Sequence, residues 1–459
     1  MTPRQGRGSS RPSRTSRLSR KDADESPRQG RPTEGNVEPA SIRELGILVI
    51  GGGIAGLTAA IEAAEAGNDV FIVEREPSLG GRVAQLHRYF PKLCPPYCGL
   101  EINYRRVRSG HRHFKVFTQA EVQQVTGQPG NYEVTVLLRP RYVKLDNCTT
   151  CNACVPVCPV ERPDSYNYGM TTTKAIYLPH EMAFPMKHVI DEATCLGESC
   201  AKCVEACNYD AIDLHMQPRT ITLKVGAIVL ATGWKPYDAN NLEILGFGKH
   251  RNIISNVMMD RLAAVNGPTK GEIVRLSDGQ PAKRVAFVQC AGSRDVNHLP
   301  YCSAICCLAT LKQSLYVRER YPDSEVYIFY IDIRPGSFED FHARVRADER
   351  VHFVKGKVAK VMADPETEEV IVEADDMLSG RKVQVRVDLF VLATGMKPNA
   401  AESKVAGLNI EYDEYGFAIE DPQQGIYVAG VAKRPTDVAT STRDGTAAAL
   451  KAIQTMVRK

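Results

Sequence analysis

The sequence predicts an α/β chain with two nucleotide-type βαβ domains, the first interrupted by a cysteine-rich insert. Three observations carry this prediction. A strand, glycine turn, helix and strand open the folded part, a second apolar strand and turn lie around residue 285, and two four-cysteine runs fall between them. With 459 residues and 43% apolar content, the chain can bury two or three domain cores.

Residues 1–42 are rich in Arg, Ser, Pro and Gly and nearly free of large apolar groups, a composition that cannot offset the entropy of ordering. They predict a disordered basic arm. Its nine basic and five acidic residues give +4, the net charge of the whole chain, so the remainder is close to neutral. A solvated extension is the reading this composition favours over an acidic-partner contact, and no nucleic-acid partner is expected. The arm lacks the apolar stretch of a secretory signal. No run approaches the roughly 18 apolar residues of a membrane span, so membrane contact is expected only through partners.

Residues 43–140 predict the first part of a dinucleotide-binding domain. Gly46–Ile50 is a short apolar strand, followed at once by Gly51, Gly52, Gly53, Ile54, Ala55 and Gly56, a helix, and a second strand ending in Glu74. The acid stands about 20 residues beyond the turn, where it can accept hydrogen bonds from a ribose. Gly51 permits the tight turn, Gly53 lets the backbone approach a pyrophosphate, Gly56 lets helix pack on strand, and the helix start favours phosphate charge. Two later strands end in Ala-Thr-Gly, one at Ala231, Thr232 and Gly233 and one at Gly395, and a third ends in Ala-Gly at Gly430.

This pattern resembles the glutathione and thioredoxin reductases, two-Rossmann flavoproteins in which such strand ends abut the flavin. The resemblance implies FAD rather than NAD at the first site, Gly80, Gly81 and Arg82 as the loop beneath it, and Val122 as the residue whose backbone meets adenine. The FAD domain is expected to continue at 217–250 and 386–459. Residues 251–385 then form a second nucleotide-type domain in which Gln289 and Cys290 stand where a glycine fingerprint belongs. A pyrophosphate could not approach there, so no ordinary NAD(P)H site is expected. Val431 stands where many flavoproteins carry an acid.

All 14 cysteines fall in four tight groups, which in an α/β chain argues for metal or redox chemistry in a reducing cytoplasm rather than for disulfides. Residues 141–216 read as a ferredoxin-like insert. Cys148, Cys151, Cys154 and Cys158, followed by Pro159, have the spacing of bacterial ferredoxins, and Cys195, Cys200, Cys203 and Cys207 repeat it with a longer first gap and Asn208 in place of proline. By the usual crossing, Cys148, Cys151, Cys154 and Cys207 hold one [4Fe–4S] cluster, and Cys195, Cys200, Cys203 and Cys158 the other. Structural zinc is the competing reading. Cys290, Cys302, Cys306 and Cys307 form a third group, either a cluster site, buried apolar residues or a redox pair, with Cys302 and Cys306 one turn apart if the helix begins at Cys302. Cys94 and Cys98 are expected near the flavin, as metal ligands, electron exchangers, sulfur carriers or parts of a rigid loop; they are the candidate catalytic pair.

The runs GGRVAQLHRYFPKLCPPYCGLEIN (80–103) and QCAGSRDVNHLPYCSAICCLATLK (289–312), with the insert, resemble the flavoprotein component of the quinone-interacting membrane-bound oxidoreductase complex that belongs to the wider heterodisulfide reductase A family. That resemblance implies an FAD and iron–sulfur electron-transfer oxidoreductase subunit with a third cluster at Cys290, Cys302, Cys306 and Cys307. It also implies three partners: a paralogous flavoprotein, a membrane component carrying haem and iron–sulfur centres, and adenylylsulfate reductase. The chain would lie on the inner face of the cytoplasmic membrane, linking the quinone pool to dissimilatory sulfur metabolism. The alternative is a heterodisulfide-reductase-type component of sulfur oxidisers or methanogens, with electron bifurcation as one variant of that reading.

Overall fold

The computed structural model describes residues 45–90, 92–110 and 112–457, so the basic arm lies outside the described residues. Strand β1 (Gly46–Ile50) is buried along its whole length, as a parallel strand covered on both faces must be. It leads through three residues into α1 (Ile54–Glu65), whose alanine-rich inner face packs closely on the sheet. β2 (Val70–Val73) returns parallel to β1, α2 (Pro96–Ser109) follows, and β3 (Phe114–Phe117) pairs parallel with β2. The antiparallel strands β4 (Ala120–Gln128) and β5 (Asn131–Leu138) then lead into the insert.

The long strand Arg219–Leu230 does two jobs. Its first half runs antiparallel to β5, and its second half runs parallel to β1 and to Ile426–Val428. It therefore joins the sheet across the insert. α8 (Val438–Val457) packs against α1 and closes this domain.

The insert has little regular structure: two short hairpins and two single-turn helices, α3 (Cys154–Val157) and α4 (Lys202–Glu205). Its small apolar cluster is made partly of the cysteines themselves. Side chains tie it to its host. Arg141 is buried and donates to Pro77 O at 2.8 Å and His188 O at 2.8 Å. Tyr166 Oη donates to Ala84 O at 2.6 Å. The fully buried Arg261 lies 4.5 Å from the Tyr166 ring centre.

A second, all-parallel sheet has the order Ile253–Ser255, Leu389–Thr394, Arg284–Ala291, Glu325–Tyr330, Val351–Lys355. α5 (Asn256–Ala263) and α6 (Cys306–Arg320) cover one face, and α7 (Glu339–Arg346) packs beside α6. A three-stranded antiparallel sheet, residues 358–387, covers the other. The expected return to the FAD domain at residue 386 is corrected here. Leu389–Thr394 is buried along its length and pairs parallel with Ile253–Ser255 on one side and Arg284–Ala291 on the other, in the middle of the second parallel sheet. The crossover runs instead through Trp234–Pro236 paired antiparallel with Met396–Pro398.

Candidate functional site

A cleft of about 1130 Å³ lies over the start of α1 and reaches the second domain. Gly51, Gly53, Ile54, Ala55, Glu74, Gly81, Arg82, Val122, Ala231, Thr232 and Gly233 all line it, so residues spread over 180 positions of sequence converge. The glycine turn has the geometry that a phosphate cradle needs. Gly51 has φ +106°, and a Cβ there would stand 2.3 Å from Ala231 O; a Cβ on Gly56 would stand 1.9 Å from Gly51 O. At Gly53, by contrast, a Cβ would meet nothing within 4 Å, leaving open space in front of the α1 N-terminus. Buried Thr232 Oγ1 lacks a protein partner at the same wall, as a donor awaiting a ligand would. The cleft fits a dinucleotide.

Four expected cofactor residues, Gly52, Gly56, Gly80 and Gly430, do not line it. Gly52 sits beneath, its amide donating to Glu74 Oε2 at 2.6 Å. Glu74 also accepts from Glu76 N at 2.8 Å, so this acid braces the turn, and burial pushes its carboxyl up from the usual range. Gly56 supports the turn from behind, and Gly430 packs against Ala55 while its neighbours Ala429 and Val431 face the cleft.

The far wall comes from elements that the nucleotide pattern does not reveal. The insert supplies Tyr166, Tyr168 and His180; His180 stacks on Tyr166 with ring centres 5.1 Å apart, and burial lowers its pKa to about 4. The second domain supplies Asp260 from α5 and Lys312 from α6. Lys312 Nζ lies 3.0 Å from Asp260 Oδ1, each side chain 5% exposed. Gln313 Nε2 donates to Asp260 Oδ2 at 2.8 Å and Lys312 Nζ to Arg88 O at 2.6 Å, so the pair is held from several sides. A Lys and an Asp 52 positions apart carry no local signature; only the α5–α6 packing joins them.

The thiols gather around hollows. Cys148, Cys151, Cys154 and Cys207 line one together, the crossed set that the ferredoxin spacing suggests. Cys195 and Cys158 lie close enough to Cys203 to add to burial in raising its pKa to about 11, while Cys200 ends the turn just before α4. Cys290, Cys302, Cys306 and Cys307 line another hollow. Here one expectation is corrected. α6 begins at Cys306, so Cys302 stands in the preceding loop, turned inward by Ala304 at φ +57° rather than by helical periodicity. Backbone amides point at sulfur throughout: Ala211 N to Cys207, Gly197 N to Cys195, Ala304 N to Cys302 and Arg334 N to Cys307, each at 3.4 Å. Burial raises the Cys154 thiol to about 12 and pushes Cys290, Cys306 and Cys307 up as well. Such thiols are poor nucleophiles, and they become thiolates when metal charge replaces the proton. Among the described residues no three His, Cys, Asp or Glu converge to hold a single metal ion.

Cys94 and Cys98 do not reach the cleft. Cys94 pairs with the backbone of Tyr89, which does line it, and Cys98 is exposed in the first turn of α2.

Residues 46–127, which hold the glycine turn, Glu74, Arg82 and Val122, match the FAD dependent oxidoreductase family. This segment is similar to an FAD-dependent oxidoreductase domain. Curated relatives extend the likeness past that domain. The chain is 40% identical to the iron–sulfur A component of the CoB–CoM heterodisulfide reductase of Methanocaldococcus jannaschii, over 85% of this chain and 61% of the relative. It is 35% identical to the A component of the H(2):CoB-CoM heterodisulfide,ferredoxin reductase of Methanothermobacter marburgensis, over 90% of this chain and 64% of the relative. The chain thus spans somewhat less than two thirds of these relatives. Among solved structures, thioredoxin reductase of Lactococcus lactis aligns with 91% of this chain and 100% of its own at 14% identity and a TM-score of 0.49. Among the described residues no helix is long and apolar enough to cross a membrane.

Proposed function

We propose that this oxidoreductase is the FAD and iron–sulfur electron-transfer component of a multi-subunit complex of the heterodisulfide reductase type. The observation that carries the proposal is the course of α6. Its first turn supplies Cys306 and Cys307 to a thiol hollow, and two turns later it supplies Lys312 to the wall of the FAD cleft. The insert repeats this logic, bringing Tyr166, Tyr168 and His180 to the same cleft from the segment that holds eight further cysteines. One set of rigid elements therefore supports both chemistries.

FAD, when bound, supplies two-electron uptake with one-electron release, which suits exchange with one-electron clusters. The chain's own residues do the positioning. The open turn at Gly53 and the α1 N-terminus would hold the pyrophosphate, Glu74 fixes the turn, and Lys312 with Asp260 presents a desolvated cation and its counter-charge at the wall. Cys148, Cys151, Cys154 and Cys207 would hold one [4Fe–4S] cluster, Cys158, Cys195, Cys200 and Cys203 a second, and Cys290, Cys302, Cys306 and Cys307 a third. Cys94 and Cys98, which do not reach the cleft, are given no role in it.

The names of the relatives favour the heterodisulfide reductase reading over the expected link to the quinone pool and adenylylsulfate reductase, which rests on the quoted sequence runs alone. The native complex, captured anaerobically through a tagged chain, separates the two. Heterodisulfide reductase components B and C support the proposal; a paralogous flavoprotein, a haem-bearing membrane protein and adenylylsulfate reductase replace it with the quinone-linked reading. EPR of the reconstituted protein tests both: cluster spectra unchanged in Cys151→Ala end either version.

A further inference from the structure

The hollow around Cys290 carries a fixed charge arrangement that the insert hollow lacks. Arg294, Asp332 and Arg334 line it together with the four thiols. Arg294 Nη1 lies 4.0 Å from Cys290 Sγ, and the same nitrogen is gripped by Asp332 Oδ1. Arg334 Nε donates to the other Asp332 oxygen at 3.1 Å. The Arg294 backbone is held too, at φ +60° with its amide donating to Tyr301 O at 3.1 Å. Its side chain is 24% exposed, so water screens its charge only in part.

Among the described residues no charged side chain lines the hollow of Cys148, Cys151, Cys154 and Cys207. The His188 ring lines it, with Nδ1 3.8 Å from Cys148 Sγ, and the nearby Lys187 ammonium donates to the Cys148 carbonyl oxygen. One group thus has a cation on a ligand sulfur, whereas the cation beside the other sits on a backbone carbonyl.

Reducing an iron–sulfur cluster adds one negative charge, and a cation hydrogen-bonded to a ligand sulfur stabilises that charge. We propose that Arg294, oriented by Asp332, is a potential-setting residue for a cluster at Cys290, Cys302, Cys306 and Cys307, raising its reduction potential; this rests on the cluster reading above. Asp332 acts as the anchor that keeps the guanidinium on the sulfur, and Arg334 offsets the anchor's charge.

The test is an EPR-monitored redox titration of the full chain reconstituted with FAD, iron and sulfide, in wild type, Cys302→Ala and Arg294→Gln. The signal that Cys302→Ala removes belongs to this group. In Arg294→Gln its reduction equilibrium is expected to fall at least tenfold, which is about 59 mV for one electron, with iron content and the other signals unchanged. A wild-type potential in that variant overturns the role of Arg294 and leaves the cluster reading standing. If every signal survives Cys302→Ala, the cluster reading of this group falls and the role of Arg294 falls with it. Should Arg294→Gln lose its iron, wild-type protein labelled with guanidino-15N arginine decides: pulsed EPR is expected to show 15N coupling to this group, and its absence overturns the contact.

Discussion

β1 and the strand Arg284–Ala291 are each flanked by parallel strands in their sheets, and each leads toward a helix that packs back on its sheet, yet the turns beyond them serve different chemistry. After β1 three residues suffice, with Gly51 at φ +106° and open space at Gly53, so the α1 N-terminus faces the cleft directly. After Ala291 fourteen residues intervene before α6, and Cys290, at φ +57°, faces three other thiols. A helix start favours negative charge of either kind, phosphate or thiolate. Backbone clearance at the strand end selects between them. The difference teaches that a nucleotide-type scaffold can be turned to another ligand by changing one turn while its sheet stays intact.

The largest expected effect comes from exchanging the demands of the two turns. Gly51→Ala places a methyl 2.3 Å from Ala231 O in a left-handed conformation. Overpacking and backbone strain together should cost about 3 kcal/mol or more and abolish flavin retention, read by thermal melting and FAD content. Cys290→Gly suits its positive φ, so fold and flavin should persist while about four of about twelve irons are lost. Flavin lost and iron kept in Cys290→Gly would break the contrast.

Next in size is Lys312→Met. Lys312 lies on the helix whose first turn carries thiols, and its own head reaches the FAD cleft, so it joins the two regions. Removing it leaves Asp260 buried without its cation, for roughly 3 kcal/mol of lost stability in urea denaturation. A loss under about 1 kcal/mol would mean that Gln313 and the His87 amide, which donates to Asp260 Oδ1 at 3.2 Å, suffice to satisfy the carboxylate.

A pH effect separates the regions further, because His180 lines the cleft while, among the described residues, no histidine lines the Cys290 hollow. Burial lowers His180 to about 4 from 6.5, so the unfolded chain binds the extra proton between these values. The stability contributed by the neutral ring is therefore complete above pH 6.5 and is lost as pH falls toward 4. His180→Gln should flatten this acid limb by up to about 1.4 kcal/mol per pH unit. An unchanged limb would place the acid sensitivity elsewhere.

Local chemistry made much of this legible in sequence. The glycine turn and the ferredoxin spacing are local runs, and Glu74 follows the turn at the fixed spacing of a strand, helix and strand, so tight backbone geometry leaves few alternatives. The outer wall of the cleft was not legible, because Asp260, Lys312, Tyr166 and His180 come from three separate segments that only tertiary packing brings together. The condition that α6 begin at Cys302 is not met for a related reason: thiols spaced as on a helix meet instead through a loop with positive φ at Cys290, Arg294 and Ala304. The residue 386 boundary failed because an apolar strand ending in Ala-Thr-Gly fits either sheet, and its pairing partners decide which.

The smallest effect tests what replaced the second glycine turn. Gln289 stands one residue before Cys290, 4% exposed, and neither atom of its amide has a protein partner. A buried amide left unpaired costs about 1–3 kcal/mol, whereas an apolar side chain of similar length has no such cost. Gln289→Met should therefore raise the urea midpoint by the equivalent of about 1 kcal/mol, with iron and flavin unchanged. A lowered midpoint would show that ordered water pairs this amide, so that the strand end which lost its glycines is wetter than the one which kept them.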